Sequence, residues 1–443
     1  MSGIAELLLN LGYSVSGSDL NSSPITKHLE DLGGKVHLGH HADWCRDASV
    51  VVTSSAIAQD NPEVVAAKEK SIPVIQRAEM LAELMRLKTF GIAVAGSHGK
   101  TSTTSMVGWM LAQCGFDPTI VVGGKVDSLG GNAKLGEGDF LLAEADESDG
   151  SFLKLSPVLE VVTNIDLEHL DYYEDLDHIK ATFLRFIDKV PFYGAAVVCL
   201  DDENVASILP DVTKRVVTYG LTPQATVFGE NVSFADGRVN FSVKNGKGLL
   251  GEVSIAPPGK HNVYNALAAV AIGLELEIPF EDISSALSTF EGVQRRMQKK
   301  GEVKGITVLD DYGHHPTEIR ATLKAIKDSW PEKRLIVMFQ PHRYSRTEAL
   351  FEDFQTCFHM ADRLIMTDIY AASEKPIEGI TTETLLEAIK KHGQRHTQYV
   401  PEVSMLAATI ADDLQQGDLV LTLGAGNIVR AGEELLNLLK EKK

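Results

Sequence analysis

The run Phe90-Gly91-Ile92-Ala93-Val94-Ala95-Gly96-Ser97-His98-Gly99-Lys100-Thr101-Ser102 constrains this chain more than any other stretch. Its apolar first half reads as a buried strand that stops at Gly96. Val107, Met110, Leu111 and Cys114 then recur at i, i+3, i+4 and i+7, which predicts a helix ended by Gly115. Strand, glycine turn, Lys-Thr and helix together make a phosphate-binding loop. Gly96 and Gly99 let the backbone curl so that its amides face an anion, and the helix dipole adds to the attraction. Lys100 can reach β- and γ-phosphates, and the Thr101 hydroxyl can hold Mg²⁺. The usual loop has glycine five residues before Gly99, where this chain has Val94, so the motif is the shortened Gly-x-x-Gly-Lys-Thr.

With 443 residues, the chain is long enough for roughly three domains with cores of their own. A formal net charge of −19 opposes general binding to nucleic acid or to an anionic membrane surface, so an anionic ligand must be held by local cations. Four widely separated cysteines (Cys45, Cys114, Cys199 and Cys357) fit reduced thiols of a cytoplasmic protein. The longest apolar run, Ala266 to Leu274, is too short for membrane insertion.

Residues 1–79 alternate helix and strand. Ser2 to Leu11 predicts an amphipathic helix with Ile4, Leu7, Leu8 and Leu11 on one face. Strands follow at 13–17, 35–37 and 50–52, with a helix at 25–32. In an α/β unit a ligand sits at the carboxyl ends of strands, here near Asp19, Thr53 and Ser54. Helix capping accounts equally well for Asp19 and Thr53. The strand and glycine turn that ordinarily precede the first helix are missing before Met1. The expectation is that the natural chain starts upstream and that an upstream extension tightens binding of this segment's ligand.

Residues 80–296 bring carboxylates to the edge of the phosphate loop. The strand 139–143 leads into Glu144-Ala145-Asp146-Glu147-Ser148-Asp149, and the strand 158–163 leads into Asn164-Ile165-Asp166-Leu167-Glu168-His169-Leu170-Asp171. Mg²⁺ on a nucleotide needs few protein ligands, so Thr101 and Glu144, read as the first residue past its strand, suffice. The acidic cluster also reads as a solvated loop, and His169 as a helix-start or core histidine. Alternation over 226–254, with turns at Asp236-Gly237 and Asn245-Gly246, predicts antiparallel strands added to the sheet. Asn262 and Asn265, at the start of an Ala-rich helix over 263–274, can meet a purine or simply begin that helix.

Residues 297–443 return to strand–helix alternation, with strands near 306–310, 335–339, 363–367 and 418–423. Two strand ends are densely polar: Asp310-Asp311-Tyr312-Gly313-His314-His315-Pro316 and Gln340-Pro341-His342-Arg343-Tyr344-Ser345-Arg346. Without a fourth spaced ligand the first reads as substrate contacts before a metal site. Arg343 and Arg346 suit a carboxylate or phosphate.

Taken together, the Gly96–Thr101 loop, Glu144–Ser148, Asn164-Ile165 with His169-Leu170-Asp171, His261-Asn262-Val263-Tyr264-Asn265, Arg295-Arg296, Asp310–Pro316 and His342–Arg346 resemble the Mur ligases of peptidoglycan synthesis. They occur in that order over nearly the whole chain. Ser97 stands where the family more often has Thr. The last two motifs resemble the member that adds the first amino acid. The resemblance implies three α/β domains: a Rossmann-like N-terminal domain (first strand apparently missing), a central P-loop ATPase domain with added antiparallel strands, and a C-terminal Rossmann-like domain. It implies an ATP- and Mg²⁺-dependent ligase joining L-alanine to the carboxylate of UDP-N-acetylmuramate through an acyl phosphate. The alternative within the family attaches a whole tripeptide to the same nucleotide sugar, and a non-catalytic P-loop nucleotide switch is the rival from another class.

By that resemblance Lys100, Glu144, His169, Arg296 and His314 are catalytic, and Thr101, Glu144 and His169 hold metal. Gly96, Ser97, His98, Gly99, Lys100, Thr101, Ser102, Asn262, Asn265, Arg296 and Asp311 bind ATP. Asp19, Thr53, Ser54, Tyr312, His314, His342, Arg343 and Arg346 bind the other substrates. Neither nucleic acid nor membrane is expected as a partner, and the chain is expected to be a monomer or weak homo-oligomer. Sites divided among domains imply hinge closure before chemistry.

Overall fold

The computed structural model describes residues 1–54, 57–126, 131–170, 172–235, 237–256 and 258–441. These form two compact units. The first comprises Met1–Asn231, Ser242–Val253 and Tyr264–Phe290, and the second Val232–Phe241, Ser254–Val263 and Glu291–Lys443. No helix among the described residues is long and apolar enough to cross a membrane.

The first unit begins with the expected helix, Ser2–Asn10, which buries Ile4 and Leu7. These side chains share a core with Leu81, Leu84 and Met85 of the helix Arg77–Arg86 and with Leu141. Four short strands follow: β1 (Ser16–Asp19), β2 (Lys35–Leu38), β3 (Val51–Thr53) and β4 (Val74–Gln76). β1 pairs with β2 and β3 with β4, both in parallel. The two pairs are separate sheets, with no strand between them among the described residues. The first strand starts three residues later than 13–17, because Gly12 and Tyr13 complete the helix end by donating to Leu9 and Leu8 carbonyls. The helix Pro24–Asp31 starts where Ser23 and Thr26 exchange side-chain and amide hydrogen bonds, with Pro24 in the first turn.

The main sheet has ten strands: β5 (Phe90–Ala95), β6 (Thr119–Val126), β7 (Gly131–Lys134), β8 (Phe140–Glu144), β9 (Leu159–Val162), β10 (Ala195–Cys199), β11 (Val216–Gly220), β12 (Val227–Ala235), β13 (Arg238–Asn245) and β14 (Gly248–Ile255). Their order is β14-β13-β12-β11-β10-β9-β5-β8-β6-β7. β5 lies between β8 and β9, parallel to both, with Val94 opposite Glu144 and Ala95 opposite Val162. The expected convergence of these three strand ends is therefore present. Ile92, Ala93, Val94 and Ala95 are fully buried, as a strand covered on both faces requires. The helix Lys100–Gln113 lies so close to the sheet that a Cβ on Gly108 would fall 2.7 Å from Ile120 Cδ1. β12, β13 and β14 are the added strands, joined by two-residue connections that only antiparallel neighbours allow. Of the expected turn residues, Asp236 lies outside the described residues.

The second unit contains a six-stranded sheet of β15 (Gln298–Val303), β16 (Ile306–Asp311), β17 (Leu335–Phe339), β18 (Arg363–Met366), β19 (Thr397–Tyr399) and β20 (Leu419–Leu423). Its order is β15-β16-β20-β17-β18-β19. Only the edge strand β15 is shown antiparallel to its neighbour. One apolar core contains Ile319, Leu323 and Ile326 of the helix Pro316–Ser329, and another contains residues of the helices Val403–Ile410 and Val429–Glu441. Helices on both faces make this a doubly wound unit. The register sets Asp311, Leu423 and Phe339 side by side, so the three following loops leave from one edge.

Candidate functional site

In the first unit the phosphate loop joins β5 to its helix with Gly96 at φ 134° and Gly99 at φ 82°. The next strand end holds it in shape. Asn164 accepts from the His98 amide at 2.8 Å and donates to the His98 carbonyl at 2.9 Å, clamping both sides of that residue's backbone. Thr163 Oγ1 donates to the same carbonyl at 2.6 Å, the Asp166 amide donates to Ser97 Oγ at 2.8 Å, and the His98 ring contacts Asp166 at 3.1 Å. Losing both side-chain bonds in Asn164→Ala should cost about 1–3 kcal/mol and weaken nucleotide binding. Chemical denaturation and calorimetry with a non-hydrolysable ATP analogue check this.

Lys100 Nζ donates to Gly96 O at 2.7 Å, Ser97 O at 3.1 Å and Glu147 at 2.7 Å, which uses all three of its donors. Burial works to lower the Lys100 pKa. Glu147 outweighs it, with help from Glu144 and Glu168, and the net direction is upward. Thr101 Oγ1 lies 2.9 and 3.1 Å from the two Glu144 oxygens. Glu144 is the last residue of β8 rather than the first beyond it, because its backbone still pairs with Val94. The expected Thr101–Glu144 pair is thus in contact.

Glu147 was not singled out by the sequence reading, and it is the most enclosed carboxylate of the acidic cluster at 2% exposed. Its Oε2 is buried without a hydrogen-bond partner. Ligand atoms of Glu147, Glu168 and His169 all lie within 4.8 Å of one another. His169 has φ 56°, which turns the chain so that its Nε2 reaches within 3.5 Å of Glu147. A buried carboxylate oxygen with no donor is costly, and a divalent cation would satisfy it. The oxygens of Thr101, Glu144, Glu147 and Glu168 are the hard ligands Mg²⁺ takes, so these residues fit the ion. The signal that could have found Glu147 is its place three residues after the strand-end Glu144, close to a loop lysine in need of a counter-charge. Asp171 lies outside the described residues.

Asn265 is buried and accepts from Thr103 Oγ1 at 3.0 Å, so it braces the loop's own helix. In the second unit Asn262 is also buried and donates to Pro258 O at 2.8 Å. Asp19 and Thr53 end β1 and β3, and Ser54 follows Thr53. The following helices are capped by Ser23 and Asn61, so capping does not explain Asp19 or Thr53.

The second unit gathers its predicted residues at one sheet edge. Asp311, last in β16, accepts from the Met297 amide at 2.8 Å and the Gly313 amide at 2.7 Å. Arg295 and Arg296 both lie over the Tyr312 ring, at 5.0 and 5.2 Å, and Arg296 reaches Glu318 at 3.3 Å. Such stacking suits guanidinium groups better than ammonium groups. Asp310 is engaged by Thr422 at 2.6 Å and Arg295 at 3.3 Å. No three-ligand group includes Asp310, Asp311 or His314 among the described residues. His314 Nδ1 lies 3.2 Å from the Tyr312 carbonyl, which must accept, so Nε2 carries the lone pair. Arg346 donates to His342 Nδ1 at 3.2 Å, and His342 stacks on Tyr370 at 5.4 Å.

Burial pushes three histidines of this unit down: His261 to about 4, His314 to about 3 and His342 to about 4. Arg296 adds to the effect at His261, Arg346 and Arg296 at His314, and Arg346 and Arg343 at His342, while Glu318 opposes it at His314. All three are neutral at pH 7. Their stabilising contribution is complete above the ordinary 6.5 and is lost as pH falls towards the folded values. Asp311 has the opposite sense: burial raises it from 3.8 to about 6 against Arg296, so its contribution is complete below 3.8 and lost as pH rises through 6. Asp310 of the same unit is also raised, with burial outweighing Thr422 and Arg295, so it acts with Asp311 against the histidines. Removing one histidine has a defined sign: between pH 6.5 and 4.5 the unfolding midpoint of His314→Gln should lose less, or gain more, than that of the parent, as a pH series of thermal melts would report.

Three family models match in succession: "Mur ligase family, catalytic domain" over residues 1–89, "Mur ligase middle domain" over 94–273, and "Mur ligase, glutamate ligase domain" over 295–426. This chain belongs to the Mur ligase family. A UDP-N-acetylmuramate–L-alanine ligase of Desulfotalea psychrophila is 74% identical over 442 residues, covering 100% of this chain and 96% of the relative. The crystal structure of a UDP-N-acetylmuramate–alanine ligase from Thermotoga maritima has a TM-score of 0.84 at 28% identity, covering 100% of this chain and 97% of that one. A murein peptide ligase from Psychrobacter arcticus, at 23% identity and a TM-score of 0.72 over 100% and 97% of the two chains, shows the fold alone.

Proposed function

We propose that this chain is an ATP-dependent ligase that joins L-alanine to the lactyl carboxylate of UDP-N-acetylmuramate, an early step of peptidoglycan precursor synthesis in the cytoplasm. The observation that carries this reading is a phosphate loop with Lys100, Thr101 and Glu144 in mutual reach of one strand edge, in a chain 74% identical to a ligase of that name. A muramyl carboxylate oxygen attacks the γ-phosphorus of ATP, giving an acyl phosphate and ADP. The alanine amine then attacks the acyl carbon, and the tetrahedral intermediate collapses to amide and phosphate, with one proton released from nitrogen.

The burden of the first step is to bring two anions together, and Lys100 with the loop amides lowers it by neutralising the transferring phosphoryl. Thr101, Glu144 and the Glu147–Glu168–His169 group would hold Mg²⁺, which would supply further charge neutralisation when bound. Arg296 and Asp311 serve the nucleotide in the same reading. Arg343 and Arg346 take the carboxylate of the amino acid. His314, neutral and with Nε2 as acceptor, orients the amine by accepting a hydrogen bond. With a pKa of about 3 it is too weak a base to take the proton outright. Asp19, Thr53 and Ser54 contact the nucleotide sugar.

Product analysis with UDP-N-acetylmuramate, L-alanine and Mg-ATP tests this. The expected result is one amide, one ADP and one phosphate per turnover, with ATP hydrolysis requiring both other substrates. ATP turnover indifferent to them would favour a nucleotide switch, and preference for a tripeptide would favour the recycling activity. Rejection of glycine rests on one methyl group, worth about 1–3 kcal/mol or 10–200-fold. Glycine should therefore be incorporated measurably at high concentration, and a competition assay reads the ratio.

A further inference from the structure

The turn that carries Arg343 and Arg346 is held in an unfavourable backbone conformation. Arg343 has φ 70° and ψ 139°, a region that glycine occupies far more readily than arginine. The loop opposite it is similar, with Ala372 at φ 47° and Ser373 at φ 71°. Such conformations persist only where surrounding contacts fix them. Thr347 of the turn's own helix donates to the Arg343 carbonyl from its hydroxyl at 2.8 Å and its amide at 3.2 Å, and the contacts from across the turn come from one short segment, residues 370–374. The Arg343 amide donates to Tyr370 O at 2.8 Å, and the Tyr370 amide donates to Pro341 O at 2.8 Å. Tyr370 also stacks on His342 with ring planes 8° apart.

Glu374 closes the arrangement. One carboxylate oxygen accepts from the Ser345 amide at 3.0 Å and the other from the Ser345 hydroxyl at 2.7 Å. The Glu374 amide donates to Ala371 O at 2.9 Å, which ties the carboxylate to its own loop. Ser345 lies between the two arginines, so a clamp on it fixes the directions of both. Burial works to raise the Glu374 carboxyl. The Ser345 hydroxyl and amide, with Arg343 nearby, outweigh burial, and the net direction is downward. The carboxylate is therefore ionised and ready to accept both bonds at neutral pH. This loop stands far from the phosphate-loop motif in sequence.

We infer that Glu374 is a positioning residue for amino-acid recognition: by clamping Ser345 it aims Arg343 and Arg346 at the carboxylate of the incoming amino acid. This rests on the proposed assignment of those arginines. It adds a determinant outside the arginine motif, on a loop that touches substrate only through its neighbours.

The test is steady-state kinetics of the full chain with each substrate varied in turn. Glu374→Ala should raise KM for L-alanine at least tenfold. KM for ATP and kcat at saturating alanine should stay within about threefold of the parent. Glu374→Gln, which keeps one acceptor oxygen, should fall between the two. Adding Ser345→Ala to Glu374→Ala should cause little further change, because both act through one contact. A uniform rise in every KM together with a lowered melting temperature would mean a structural role only and would overturn the inference, as would an unchanged KM for alanine. Arg343→Ala separates the two levels of the argument. If it leaves KM for alanine unchanged, the arginine assignment falls and the inference with it. If Arg343→Ala raises that KM and Glu374→Ala does not, the clamp alone is wrong.

Discussion

Lys100→Ala is expected to lower kcat by on the order of 10²–10³, because it removes a preorganised charge from the transferring phosphoryl group. The same substitution has a second consequence that must be separated from the first. Lys100 is the cation against Glu147, whose side chain is 2% exposed. Removing one partner of a buried ion pair typically costs about 3–5 kcal/mol, since the remaining charge is left desolvated. Loss of activity in Lys100→Ala alone could therefore reflect a damaged loop. Lys100→Ala combined with Glu147→Gln removes the stranded charge and should regain most of the lost stability by urea denaturation. Its turnover should stay as low as that of the single variant or lower. Lys100→Arg keeps the charge, but a planar guanidinium cannot reproduce the three contacts to Gly96, Ser97 and Glu147. Turnover should remain depressed in that variant as well. Near-parental kcat in a folded Lys100→Ala protein would remove the phosphate-loop assignment.

What was legible in the sequence was whatever depends on local periodicity and on residues that only one chemistry needs. The apolar run into Gly96, the helix after it and the four apolar strands of the second sheet are of this kind. β5 and β16–β18 and β20 fall within a residue or two of expectation, because uninterrupted apolar runs between glycines and polar strand ends have few alternatives. β15 was missed because Gln298-Lys299-Lys300-Gly301-Glu302-Val303 has no apolar face. An edge strand needs none, and lysines there guard it against further pairing. β19, three residues long, carries too little pattern to read.

The site divides along similar lines. Thr101 and Glu144 were legible because the loop motif and a strand-end carboxylate each demand a place at the same edge. Glu147 and Asn164 were not, because their importance lies in contacts across 47 and 66 residues of sequence. Nothing local distinguishes a buried carboxylate in an acidic cluster from a solvated one. Glu374 is harder still, since it acts on a turn 29 residues away through a serine of ordinary appearance.

Gly96→Ala should abolish nucleotide binding while Gly99→Ala only weakens it, although both glycines belong to one motif. Gly96 has φ 134°, and a Cβ there would fall 2.0 Å from Thr163 Oγ1, 3.0 Å from Thr163 N and 3.1 Å from Asn164 N. The severe clash is with the Thr163 hydroxyl, which is held by its bonds to His98 O and Ala95 O, and behind it stand two tight backbone contacts that cannot move aside. The Thr163 amide is bonded to Ala95 O at 3.0 Å and the Ser97 amide to Asn164 O at 3.0 Å, so both strands at the loop's base are pinned to each other. Overpacking of this kind costs about 1–3 kcal/mol, with an additional penalty for a side chain at that φ. The chain would relieve it by opening the loop, which misdirects the amides that face the anion. At Gly99, φ 82°, the nearest atom is Asn265 Oδ1 at 2.9 Å, the end of a side chain that can rotate at the expense of its bond to Thr103. Calorimetry with an ATP analogue should show more than a hundredfold loss for Gly96→Ala and about tenfold for Gly99→Ala. Thr163→Ala in the Gly96→Ala background removes the 2.0 Å clash but not the two amide contacts, so recovery should be partial at most. Full recovery would mean that a single hydroxyl, rather than the pinned strand ends, sets the shape of the loop.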